Sequence, residues 1–365
     1  MNTSGIRKRG VVGSLIALAA LAGPAGAVPR VTQVIDGLPQ VIAPQQIIVQ
    51  CDPASLPIVC SNALALAGAT VVALGQTVFN LVQLPDGVSL QATLDSLRAT
   101  AGIASAEPNR IFLGSTTYPQ TWHFPAAGAP GDSSLLFASA PAPVVAVLDS
   151  GVAYEDYVDL SGAYAKAPIF DLPNPTQFVQ GWDFVNGDAH ANDDNGHGSA
   201  MASIIAGQGF FSSAAIPYVG PAAGATIMPI KVLDSDNRGT EFWLAEGIRF
   251  AVSHGAQVIN LSLDFARNYT PGVSMTDAIA SARASHVVIV GASGNTGTRQ
   301  VLHPAAFPDV LSVGAFTLDA VKGYAVTYYS AFGEALDLVG PGGDPRQDVN
   351  GDGLFDGALG QSFPP

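Results

Sequence analysis

Three residues of this chain have the types and settings to do acid–base chemistry together. Asp149 closes the apolar run Val144-Val-Ala-Val-Leu148 and is followed by Ser150-Gly151. His197 stands in Asp193-Asp194-Asn195-Gly196-His197-Gly198-Ser199, at the head of a helix-like stretch reaching Ala206. Asn295 lies in Ser293-Gly294-Asn295-Thr296-Gly297, directly after the apolar run Val287–Ala292. Each is ordinary alone: an Asp at a strand end caps or turns, a His among glycines says little, and an Asn in such a turn tolerates left-handed backbone. Together they can act as a set. A carboxylate fixes the tautomer of an imidazole and stabilises its cation, the imidazole moves a proton, and an amide donates to the oxyanion of an acyl-transfer intermediate.

The elements that must position them emerge from hydrophobic patterning. After Pro143, Val144–Leu148, Thr226–Leu233, Gln257–Ser262, Val287–Ala292 and Val310–Phe316 are short apolar runs of the kind found inside a parallel sheet. Between them lie helical stretches: His197–Ala206, Thr240–His254 with Thr240 as N-cap and Gly255 as stop, and Ser274–Ser285. This alternation predicts an α/β fold with a doubly wound parallel sheet, whose site lies beyond the carboxyl ends of the strands.

A second, smaller α+β unit precedes it, from Ile47 to about Glu107. Its strand-like and helix-like segments run in a βαββαβ, ferredoxin-like order, with Ser89 capping a helix that carries Leu90, Leu94 and Leu97 on one face. A Gly/Pro/Ser-rich stretch, Gly114 to Pro143, separates the two units. Cys51 and Cys60 are the two cysteines; they form one small disulfide loop or remain two unpaired thiols.

Residues 1–27 read as a secretory signal peptide: Arg7, Lys8 and Arg9, then an apolar run from Val11 to Ala22, then Ala25-Gly26-Ala27 as the cleavage site. The apolar run is too short to span a bilayer, which takes about 20 residues. A secreted protein with no membrane association after signal removal is therefore expected. The chain of 365 residues has a formal net charge of −14 and 12% charged residues, with 48% hydrophobic. That apolar fraction suits packed cores and excludes a disordered chain. The acidic balance, with no basic cluster beyond the N-terminus, excludes a nucleic-acid partner.

The motifs in order resemble the subtilisin-like serine peptidases. Val144 to Val152 resembles that family's aspartate motif, and Asn195-Gly-His197-Gly-Ser-Ala-Met-Ala-Ser-Ile-Ile-Ala-Gly207 its histidine motif. Tyr218-Val-Gly-Pro-Ala, Ile230-Lys-Val-Leu-Asp234 and Gly255 to Leu263 resemble its internal strands. Gly291 to Gly297 and His303 to Ala315 resemble its oxyanion region and the segment after that region. The resemblance implies a secreted serine endopeptidase acting on protein or peptide substrates, with Asp149 orienting His197, His197 as general base and acid, and Asn295 as oxyanion donor. It further implies that Ser262, Leu263 and Asp264 line the cleft and pair with an extended substrate. Asp264 stands where the family usually has Gly, a carboxylate that would narrow the cleft or favour basic side chains.

The same resemblance divides the chain into a signal peptide, 1–27; an inhibitory propeptide domain, 28–115, cut off near Asn109–Thr117 and acting as intramolecular inhibitor; and a peptidase domain, 116–365. The family's nucleophile lies in a Gly-Thr-Ser-Met-Ala-Xaa-Pro motif, and none occurs after Asn295. Gly198-Ser-Ala-Met-Ala202 belongs to the histidine helix, and Ser362 has no helix after it. The peptidase domain is thus expected to be C-terminally incomplete and this chain inactive by itself. The alternative is an inactive homologue that binds peptides or peptidases without cleaving them. No cofactor is required for such chemistry. Asp348, Asn350, Asp352 and Asp356, with Gly353, fit the first positions of an EF-hand-like loop, leaving either a structural Ca2+ site or an Asp/Gly-rich surface turn.

Overall fold

The computed structural model describes residues 29–74, 78–114, 142–158, 163–170, 176–211, 216–222, 224–319, 323–348 and 356–357. The signal segment, the stretch 115–141 and Ser362 lie outside the described residues.

The N-terminal unit contains β1 (Val31–Ile35), β2 (Leu38–Cys51), α1 (Pro57–Leu66), β3 (Thr70–Leu74), β4 (Phe79–Gln83), α2 (Leu90–Arg98) and β5 (Ile103–Gly114). Its antiparallel sheet has the order β5-β2-β4-β3, the ferredoxin-like arrangement expected from the βαββαβ sequence, with β1 added as a hairpin partner of β2. Ser89 caps α2 by accepting from the Ala92 amide at 3.3 Å, and Leu90, Leu94 and Leu97 bury their shared face with Ile47, Val49 and Val82. Cys51 and Cys60 are disulfide-bonded, closing a loop over a sequence separation of nine. Replacing both by Ser is expected to lower stability by about 2.5 kcal/mol through the entropy regained by the unfolded chain. Equilibrium urea unfolding of this variant against the parent measures it; an unchanged midpoint would refute it.

The second unit contains β6 (Val144–Asp149), β7 (Trp182–Asp183), α3 (His197–Ala206), β8 (Thr226–Lys231), β9 (Arg238–Thr240), α4 (Glu241–Ser253), β10 (Val258–Leu261), β11 (Leu263–Phe265), α5 (Val273–Ala284), β12 (Val288–Ala292) and β13 (Val310–Asp319). The sheet order β7-β8-β6-β10-β12-β13 is parallel throughout. Strand periodicity explains why both faces are apolar. Val145 and Val147 of β6 pack with Ala202 and Ala206 of α3 on one face. Ala146 and Leu148 pack with Leu244, Ile248 and Ala278 of α4 and α5 on the other. Since β8 and β10 flank β6 on opposite sides, the strand order reverses at β6, and a crevice is expected outside its carboxyl end.

The two units share one sheet. The last residues of β5 pair antiparallel with β9, through Ile111 to Thr240 and Leu113 to Arg238, and with β11, through Leu113 to Asp264. The contact is polar as well as apolar. Glu107 accepts from the amides of Val273 and Ser274 at 2.5 and 2.9 Å, at the start of α5, where the Gly272 cap has no side chain. Asn109 accepts from the Phe242 amide at 3.1 Å, and Arg110 pairs with buried Glu241 at 2.9 Å. Ile48, Phe79 and Leu81 enclose Phe242.

Candidate active site

Asp149 is the last residue of β6, and the alternation along that strand puts it on the same face as Val145 and Val147, the face covered by α3. His197 is the first residue of α3. The two meet: His197 Nδ1 lies 2.6 Å from Asp149 Oδ1, with Asp149 0% and His197 6% exposed. With Nδ1–H donated to the carboxylate, the lone pair of the neutral ring is on Nε2. Asp149 Oδ1 also accepts from the Ser150 amide at 2.7 Å.

The approach of α3 to β6 depends on Gly198. A Cβ there would stand 2.0 Å from the Gly151 carbonyl oxygen, so a side chain at this position would push the helix off the strand. Asp193 ties the two elements together. It accepts from Ser150 Oγ at 2.8 Å, from the Gly196 amide at 2.8 Å, and from the amide and hydroxyl of Ser199 at 2.8 and 2.6 Å. Ser150 Oγ in turn accepts from the Gly198 amide at 2.9 Å, and Ser199 Oγ from the Ala153 amide at 2.8 Å. Ser199 is thus fully engaged as a strut. Burial pushes the Asp193 carboxyl up, opposed by Lys231, by the Ser199 hydroxyl and by the backbone donors.

Lys231 is a site residue that lies within the Ile230–Asp234 motif but to which motif reading gives no role. It ends β8 in register with Asp149 on one side and Asp183 on the other, and its side chain is 0% exposed. Its ammonium donates to Asp194 Oδ1 at 2.5 Å and to the carbonyls of Ser150 and Leu233 at 2.6 and 2.9 Å. Burial by itself would depress its pKa, but Asp194, Asp183 and Asp193 more than offset this, so the group stays cationic. Burial pushes Asp183 up to about 7 although Lys231 pulls it down. The signal in the sequence is a lysine at the end of an otherwise apolar strand, on the same alternation as Ile227.

Asn295 comes after β12, two strands from β6 along the sheet order β6-β10-β12 and roughly 10 Å away at ordinary strand spacing. It is exposed, at the same carboxyl edge as Asp149. Ser262 joins β10 to β11 and accepts from Asn260 Nδ2 at 3.0 Å. Leu263 and Asp264 belong to β11, which flanks the β5 tail. Burial pushes the Asp264 carboxyl up to about 6. A carboxyl whose folded pKa exceeds its unfolded value binds its proton more tightly when folded, so stability falls as pH rises from about 4 to 6. Asp264→Asn is therefore expected to stabilise the protein at pH 7.5 by about 2 kcal/mol and to give no gain at pH 3.5. Parallel melts at the two pH values test this, and an equal effect at both would overturn it.

Of the metal-ligand set, Asp348 is exposed; Asn350 and Asp352 lie outside the described residues, and Asp356 is described only through its backbone pairing with Asp344. Among the described residues no group of three or more His, Cys, Asp or Glu side chains is arranged to hold a metal ion.

The sequence profile of the Subtilase family matches residues 141–361, more than half of the chain and the whole of the parallel sheet. The chain belongs to the subtilase family. Among its relatives, the thermophilic serine proteinase of Bacillus sp. (strain AK1) is 28% identical over 300 residues, covering 80% of this chain and 68% of that protein. Subtilisin BL of Lederbergia lenta is 32% identical over 187 residues, 50% of this chain and 65% of that one. Fervidolysin from Fervidobacterium pennivorans, a keratinolytic enzyme related to subtilisin, shares the fold with a TM-score of 0.66 at 20% identity, over 93% of this chain and 56% of that one. This subtilase chain therefore spans about two thirds or less of the length of these relatives. Among its described residues no helix is long and apolar enough to cross a membrane.

Proposed function

We propose that the protein is an exported serine endopeptidase in which Asp149 and His197 are the acid–base half of an Asp-His-Ser triad. The single observation that carries this is the 2.6 Å contact between Asp149 Oδ1 and His197 Nδ1 at the carboxyl end of the sheet. In the proposed reaction a serine hydroxyl attacks the peptide carbonyl carbon while its proton passes to His197 Nε2. Asn295 donates to the resulting oxyanion, Asp149 stabilises the imidazolium, and collapse breaks the C–N bond as His197 returns the proton to the leaving amine. Water then hydrolyses the acyl-enzyme by the same route. The 365 residues hold no Gly-Thr-Ser-Met-Ala segment, and no serine among them is assigned the nucleophile's role.

In this reading residues 28–115 act as an inhibitory propeptide and Ser262, Leu263 and Asp264 hold a peptide substrate as an added strand. The pairing of Ile111–Gly114 between β9 and β11 supports both parts. The signal-like segment 1–27 supports export. A Ca2+ ion held by Asp348, Asn350, Asp352 and Asp356 is supported by their spacing alone, and a rise in melting temperature on adding Ca2+ that EDTA reverses would test it.

The deciding experiment treats a form of the protein that carries the serine segment with a serine-directed fluorophosphonate and locates the adduct by mass spectrometry. A labelled serine, with labelling lost in His197→Ala, is the expected result. Peptide binding without labelling or cleavage would overturn the enzymatic reading.

A further inference from the structure

The strand pairing between β11 and the β5 tail places an acidic residue, Asp264, in register with position 113. In the sheet β9-β5-β11, position 113 is flanked by Arg238 on one side and Asp264 on the other. Arg238 is matched, its guanidinium 3.0 Å from Asp236. Asp264 is not: it is half-buried, and among the described residues no donor or cation reaches its carboxylate, burial being the one influence on its titration. The chain's own tail puts Leu113 at this position, a residue with no charge to offer. Directly opposed residues of an antiparallel pair share a sheet face. A bound peptide residue in the register of Leu113 therefore extends its side chain alongside Asp264.

We infer that Asp264 is a specificity-determining residue that selects peptides carrying Lys or Arg at the register position of Leu113. This rests on the peptidase-cleft reading and sharpens it to a substrate class. An unmatched carboxylate in a partly desolvated cleft discriminates strongly, because an apolar side chain leaves it uncompensated whereas a cation restores what burial removed. Arginine suits the position well, since its planar fork can bind a carboxylate bidentately. The chain's own tail carries leucine, which has no charge, at this register position, so a basic substrate has an advantage over it.

Two measurements test the inference independently. In the full chain, Leu113→Arg is expected to raise the melting temperature by roughly 2 to 4 °C, and the rise should vanish in Asp264→Asn and Asp264→Gly backgrounds, the double-mutant signature of a direct interaction. An equal response in all three backgrounds overturns the inference. In a form of the protein that carries the serine segment, synthetic peptides differing only by Arg or Leu at that position are expected to differ about tenfold in kcat/KM, with the ratio collapsing in Asp264→Gly. Cleavage of both peptides at equal rates refutes the role of Asp264 and leaves the peptidase reading intact. Coupling in the full chain with no peptide cleaved supports the cation site and refutes the peptidase reading.

Discussion

His197→Ala is expected to reduce peptidase activity at least about a thousandfold in any form of the protein that carries the serine nucleophile. The imidazole contacts Asp149 at a short distance, Nδ1 to Oδ1 at 2.6 Å, and is 6% exposed, so bulk water cannot readily replace it as base. The loss should fall on kcat with little change in KM, because the β9 and β11 strands that would bind the peptide are untouched. Asp149→Asn should behave similarly, since an amide cannot stabilise the imidazolium and favours the wrong tautomer. Steady-state kinetics on both variants, with circular dichroism to show that the fold persists, check this. Retention of a tenth of the parent rate by either variant would rule out the proposed roles.

Lys231→Met is expected to destabilise the protein by about 3 to 5 kcal/mol, the scale for removing one partner of a buried charge network. The methionine would fill much of the volume, so the loss is electrostatic. Asp194 loses its 2.5 Å partner, the carbonyls of Ser150 and Leu233 lose their donor, and Asp183 and Asp193 lose the cation that opposes their burial. Because Ser150 also links to Asp193 and to the α3 amide of Gly198, the effect should reach the Asp149–His197 pair. Urea unfolding measures the stability term, and a loss below about 1 kcal/mol would mean that the carboxylates simply take up protons. Lys231→Arg is an informative companion: it keeps the charge, but its larger planar head cannot fit three acceptors spaced for an ammonium.

Local patterning made most of the fold legible. Val144–Asp149 reads as a strand buried on both faces because residues of both parities are apolar, and the structure divides them between two cores. Thr240 and Ser89 announce helix starts through their hydroxyls, and both cap as expected, at 3.3 Å from the amides of Trp243 and Ala92. The early hairpin strand Val31–Ile35 is not legible locally, because it gains its definition from pairing with β2. The pairing of Cys51 with Cys60 is open in the sequence for a similar reason: a disulfide needs the end of β2 and the side of α1 to come together, which spacing does not dictate.

Sequence by itself therefore determined the kinds of residue, the order of strands and helices, and the edge of the sheet where an Asp, a His and an Asn would emerge. Those features depend on alternation, capping and turns, all set within a few residues of one another. Tertiary structure decided that Asp149 and His197, 48 residues apart, meet at 2.6 Å, that Lys231 is a buried cation between carboxylates, and that Asp264 stands opposite position 113 of the protein's own tail. These depend on strand register and on how closely a glycine lets a helix approach a strand. Both are set by packing over the whole sheet, where a one-residue slip would turn each of these side chains to the other face.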